Sequence, residues 1–251
     1  MSLAALAAWP PSPVLGILGP FGDAIGFIFE PQESRFTGGR TVGGPDQVWE
    51  YTVTHLEISF FALGIALAIA LPAGVLLGHY GRGEMVAITI GNSWRAIPEL
   101  ALIALVVAFI GFGFVNVAIA LMVLGIPPIL TNAYVGVRQV DRSAVEAARG
   151  MGLNDFQVIT RVELPLAVPT IMSGVRTGAI NIIATATIAP LAGVVTLGDF
   201  IIARNVYGDE GVLAGAILVA TLAILVEVGL AGVQRLLTPR GLKVARERAA
   251  A

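Results

Sequence analysis

The chain has 251 residues, of which 56% are apolar and 13% charged. A soluble domain carries about 25% charged residues, so this sequence cannot clothe a water-exposed surface of its size and points to lipid. A net charge of −2 gives no electrostatic case for nucleic acid, and the absence of cysteine removes disulfides, thiolate metal sites and a cysteine nucleophile.

Rare residue types exclude more. Lys243 is the one lysine, remote from any glycine-rich turn, so there is no phosphate-binding loop and no ATP bound in that way. His55 and His79 are too few for a three-histidine zinc site. No His-rich cluster, Asp-rich motif or G-x-S-x-G elbow suggests an enzyme. The sequence therefore predicts no cofactor on this chain.

In chain order, residues 14–30 are apolar but short, with Pro20 and Asp23 inside. They leave open an interfacial helix or a sixth span, and lack the basic start of a signal peptide. Residues 31–53, with four glycines, read as an extracytoplasmic loop. Spans of about 20 apolar residues follow at Leu56–Leu77, Met85–Phe112, Val115–Val137, Val168–Leu191 and Val212–Leu236. The inner half of the second carries Asn92, Arg95, Pro98 and Glu99, which predicts a kink. The division is a segment 1–53, a transmembrane domain 54–237 with a polar loop 138–167, and a basic tail 238–251. Arg138, Arg142, Arg149 and Arg161 in the loop, and Arg240, Lys243, Arg246 and Arg248 in the tail, place both in the cytoplasm by the positive-inside rule. The protein is thus predicted to be all-α and polytopic, in a cell or inner membrane.

The polar loop is the most informative segment. Ser143 and Glu146 fit a capping box at a helix start, and Gly150 or Gly152 can end that helix. Asn154 and Gln157 repeat the capping logic, and Pro165 and Pro169 mark the end of the second short helix. The expected product is a helical finger whose surface mixes charge with Met151, Leu153, Phe156 and Ile159. Such exposed apolar residues suit a docking site for another protein.

The loop resembles the EAA loop of permease subunits of ATP-binding-cassette importers. Glu146, Ala147, Ala148, Gly152, Val162, Leu164 and Pro165 keep every spacing of that pattern. The resemblance covers about residues 52–237 and implies a five-span type I importer permease core. It implies that Glu146–Gly152, with Leu153, Val162, Leu164 and Pro165, couple the spans to cytoplasmic ATPase subunits, where ATP is bound. It further implies a second permease copy or paralogue and an extracytoplasmic substrate-binding protein. NSWRAIPELALIAL (92–105), PPILTNAYVGV (127–137) and ELPLAVPTIMSGVRTG (163–178) look most like permeases for osmoprotectants such as glycine betaine, carnitine and choline. AGVVTLG (192–198) departs from the glycine-rich run common there. Permeases for methionine or other amino acids share the EAA loop and stay open as an alternative. An ion-coupled carrier would need intramembrane carboxylates and repeated halves, and no repeat is visible.

Arg95, Glu99, Arg176 and Glu227 fall within predicted spans, where ionisable groups face partners or a cavity. Arg95, Arg176 and Glu227 lie ~12–14 Å from the inner surface at ~1.5 Å per residue. Glu227 is expected to pair with Arg176 or Arg95 near an inner gate, against the plain alternative of a structural pair. Trp94, Phe109, Phe112, Phe114 and Tyr134 are candidate pathway aromatics for a quaternary ammonium ion, or packing anchors. His55 and His79 read as interfacial, and Asp199, Asp209 and Glu210 as an outer solvated loop, with contact to the binding protein as the alternative.

Overall fold

The computed structural model describes residues 13–34, 39–81, 83, 85, 89 and 98–239, with side chains from residue 19 onward. Helix α1 (Pro13–Phe29) leads into an antiparallel pair of short strands, β1 (Pro31–Glu33) and β2 (Thr41–Gly43). Helix α2 (Gly44–Tyr80), α3 (Glu99–Ile110) and α4 (Phe114–Arg138) follow. The finger comprises α5 (Arg142–Gly150) and α6 (Asp155–Val158). A π-helical segment Ile159–Glu163 then runs into α7 (Leu164–Thr185), which tightens to a 3₁₀ segment at Ala186–Ala192. A short α8 (Gly198–Ile202) precedes α9 (Arg204–Leu237), which kinks at Gly208. Four stretches are long and apolar enough to cross a membrane: Gly44–Tyr80, Phe114–Arg138, Asp155–Ala192 and Arg204–Leu237. The second expected span is described as a helix only over its C-terminal part, the shorter apolar helix Glu99–Ile110.

Three boundaries differ from expectation. Helix α9 starts at Arg204 rather than Val212, so Asp209 and Glu210 stand on its first turns rather than in a loop. Helix α2 starts at Gly44, so residues 44–53 are helix rather than loop. Pro45 near its first position costs no hydrogen bond there, and Gln47 Oε1 accepts from the Gly43 amide at 2.6 Å. At ~1.5 Å per residue, α2 is roughly 55 Å long, which exceeds a ~30 Å hydrocarbon core. Pro165 likewise does not end the finger. The wider π turn before it absorbs the register change where proline brings no amide hydrogen, so the backbone continues from α6 into α7.

Small residues set the packing. Ala62, Ala66, Ala70, Gly74 and Gly78 recur every fourth residue on α2, and all are buried. A Cβ at Gly74 would stand 2.5 Å from the Leu130 carbonyl oxygen, and one at Gly174 2.5 Å from that of Pro128. Helices α2, α4 and α7 therefore touch backbone to backbone, as membrane helices do when small residues line their contacts. Around these contacts Ile58, Leu121, Ile129 and Ile182 form the main apolar core.

The N-terminal helix packs on α8 and α9. Phe27 is fully buried, edge-on to Phe200 at 5.3 Å and to Tyr207 at 6.2 Å. Seventeen residues rise ~25 Å.

Candidate functional site

The finger is built from local rules at each turn. Its first helix is capped by Asp141, whose Oδ1 accepts from the Ser143 amide at 2.9 Å. That amide holds the Asp141 carboxyl below the usual carboxylate range. Ser143 is therefore not the cap, and the Ser143–Glu146 box does not form. Starting the helix at Arg142 turns Val145 and Ala148 into the core and leaves Glu146 and Ala147 exposed. The helix ends in a Schellman turn: Gly152 N donates to Arg149 O at 2.9 Å and Leu153 N to Ala148 O at 3.2 Å. Gly152 sits at φ +84°, a conformation that side-chain-bearing residues avoid, with open space where a Cβ would point. The second helix carries the expected capping box, Asn154 with Gln157. Beyond the frame, Met151 and Phe156 stand out, each 75% exposed.

The sequence-predicted coupling residues therefore divide. Glu146, Ala147 and Gly152 are on the outer surface, whereas Ala148 is buried and Leu153, Val162, Leu164 and Pro165 are half-buried. Ala148 lies in an apolar cluster against which Leu153, Val162 and Leu164 pack. Val145, Ala148, Val158 and Ile159 join Val137 of α4 and Ile171 and Val175 of α7 in one apolar cluster.

A polar tie that the sequence did not signal binds the finger to α2. His79, in the last turn of α2, is buried, and its Nδ1 donates to Glu163 Oε2 at 2.7 Å. Its Nε2 lies 3.5 Å from Asp155 Oδ1, which also accepts from Arg149 at 3.3 Å. His79 thus faces protein, and so does His55, which is fully buried and bonds the Ile183 carbonyl at 3.0 Å. Among the described residues, no group of three or more His, Asp or Glu is placed to hold a metal.

A model of the inner membrane component of binding-protein-dependent transport systems matches residues 62–240. The chain belongs to this family. The permease is similar to the carnitine transport permease protein OpuCB of Listeria monocytogenes, 38% identical over 80% of this chain and 91% of that one. It is also similar to the glycine betaine/carnitine/choline transport system permease protein OpuCB of Bacillus subtilis, 37% identical over 78% and 91%. Its fold matches the inward-facing MetNI methionine ABC transporter with a TM-score of 0.68 at 20% identity, over 76% of this chain and 96% of that one. At that identity the likeness speaks to the fold alone.

The ionisable residues of the permease do not all meet. Arg176 of α7 pairs with Glu227 of α9, and its Nη1 also donates to Gln234 Oε1 at 3.1 Å. Glu99, exposed at the start of α3, accepts from Thr185 Oγ1 at 2.8 Å. Tyr134 is buried within the main core, and Phe109 and Phe112 are exposed, so these aromatics form no common lining. Arg95 and Trp94 lie outside the described residues. Asp199 accepts from Tyr207 OH at 2.7 Å and is structural, not a free loop acid. Reversing Glu227 to Arg should lower uptake by placing two cations together, and adding Arg176→Glu should recover it. Uptake by membrane-matched cells is the measurement; a double variant no better than the single would show that the contact is not the operative one.

Proposed function

We propose that the permease forms the translocation path of an importer for a quaternary ammonium osmoprotectant such as glycine betaine, carnitine or choline. The observation that carries this is its likeness, over nine-tenths of their length, to permeases named for those solutes. The amino-acid alternative rests on fold likeness at 20% identity and ranks below it.

ATP is hydrolysed on separate cytoplasmic subunits. They seat against the finger, where Met151 and Phe156 supply apolar contact and Glu146, Arg149 and Arg161 the charged surround. A second permease copy or paralogue completes the path, and an extracytoplasmic binding protein delivers the solute. The loop 138–167 and the C-terminal tail face the cytoplasm on the strength of their arginines. A push on α6 travels without a break into α7, since no loop intervenes between them, and reaches α2 through His79–Glu163. In alternating access such motion would work on the Arg176–Glu227 contact, which acts as an inner gate.

The test is to purify the tagged chain gently from its native membrane and identify its companions. An ATPase and a binding protein that takes up labelled carnitine, glycine betaine or choline is the expected result. A chain that purifies alone and moves solute under an ion gradient would replace this reading by a secondary carrier. A binding protein selective for methionine would replace the substrate.

A further inference from the structure

The exposed faces of the long helices differ in chemistry. The large exposed apolar residues of α9 are Ile224, Leu225, Val228, Val233, Leu236 and Leu237, those of α2 include Phe60, Phe61, Ile69 and Leu76, and α7 exposes none. These suit hydrocarbon. On α7 the exposed residues from its middle onward are Ser173, Thr177, Asn181 and Ala184. Steps of four, four and three put them on one stripe, and Ser173 to Asn181 spans ~12 Å.

That stripe is ill-suited to lipid. Thr177 can return its hydroxyl hydrogen to the Ser173 carbonyl at 3.0 Å, but the Asn181 carboxamide has no hydrogen bond among the described residues. A carboxamide left bare in hydrocarbon is expensive, and polar groups within spans normally face a partner or water. At the end of α7 remote from the finger, the exposed carboxylate of Glu99 accepts from the buried Thr185, one turn beyond Asn181. The nearest cation on α7, Arg176, is turned instead to Glu227 and Gln234. The face is therefore uncharged along its length and negative at one end.

We propose that Ser173, Thr177 and Asn181 line the water-filled route, and that Glu99 draws the cationic head of the solute onto it. The first half rests on the contrast between helix faces. The second rests on the quaternary ammonium reading above.

The absence of cysteine gives a clean test in the assembled importer. Single variants Ser173→Cys, Thr177→Cys and Asn181→Cys are treated with a trimethylammonium-bearing methanethiosulfonate, with Ile224→Cys and Val228→Cys as lipid-facing controls. The three stripe variants should react and lose uptake, and the controls should not. Adding Glu99→Gln to Asn181→Cys should slow the cationic reagent by about tenfold and leave the neutral methyl reagent unchanged. Stripe variants no more reactive than the controls would overturn the route. Equal slowing of both reagents would overturn the role of Glu99, since a merely structural change affects them alike. Uptake of labelled carnitine, glycine betaine and choline by the parent importer separates the two readings. Uptake without stripe labelling sinks this inference alone; stripe labelling without uptake of any of the three sinks the substrate alone.

Discussion

Gly152→Val is expected to lower uptake roughly five- to thirtyfold while the amount of permease in the membrane stays near that of the parent. The Gly152 backbone sits at φ +84° and would meet no neighbour through an added Cβ, so the whole effect is conformational. Placing a side chain in the left-handed region costs about 1–2 kcal/mol, and a β-branched residue is a poorer fit still. One to two kcal/mol is a factor of about five to thirty in the population of the native turn. The Schellman bonds from Gly152 and Leu153 hold the end of α5 and the outward pose of Met151. Losing them misplaces the finger without touching the spans. Gly152→Asn should retain most of the uptake, because asparagine tolerates this conformation. The check is solute uptake beside ATP hydrolysis by the purified complex: hydrolysis should persist while uptake falls. Normal uptake in Gly152→Val would count heavily against a coupling role for the finger.

The finger was legible because its signals are local. Asn154 and Gln157 cap each other three residues apart, and Gly152 marks a turn that only a few residues can make. The cap at Asp141 was misread as Ser143 because both satisfy the same local rule. The choice is made by burial of Val145 and Ala148, a tertiary fact. Apolar runs located the spans, but the start of α2 was lost because Asp46, Gln47 and Glu50 lower its hydropathy; Pro45 just after two glycines was the usable signal. The small-residue ladder from Ala62 to Gly78 was also open to reading, since its period of four is plain in the sequence. Arg176 and Glu227 were legible from equal depth. His79 and Glu163 were not, being 84 positions apart with nothing local to join them.

That last pair carries the second large effect. His79→Ala is expected to destabilise the permease by about 1–3 kcal/mol, the usual cost of leaving a buried polar group without its hydrogen-bond partner. The Glu163 side chain is 4% exposed, so water cannot replace the lost ring nitrogen. A membrane-embedded core with a total stability of about 5–15 kcal/mol would lose a large fraction of it. The measurable result is a lower midpoint in thermal unfolding of the detergent-solubilised protein and reduced accumulation in cells. His79→Asn should recover part of the loss, because its amide nitrogen occupies the position of Nδ1, whereas His79→Gln should not. Glu163→Gln in the His79→Ala background should also recover stability, since an uncharged side chain costs less to leave without its partner. The double variant would then be less destabilised than the sum of its singles, which is how a direct interaction shows itself. Additive losses would mean that His79 acts through packing alone. In that case the finger would be tied to the spans through α7 and through the apolar cluster it shares with Val75 of α2 and Val137 of α4, and a push from the ATPase would reach α2 by packing alone.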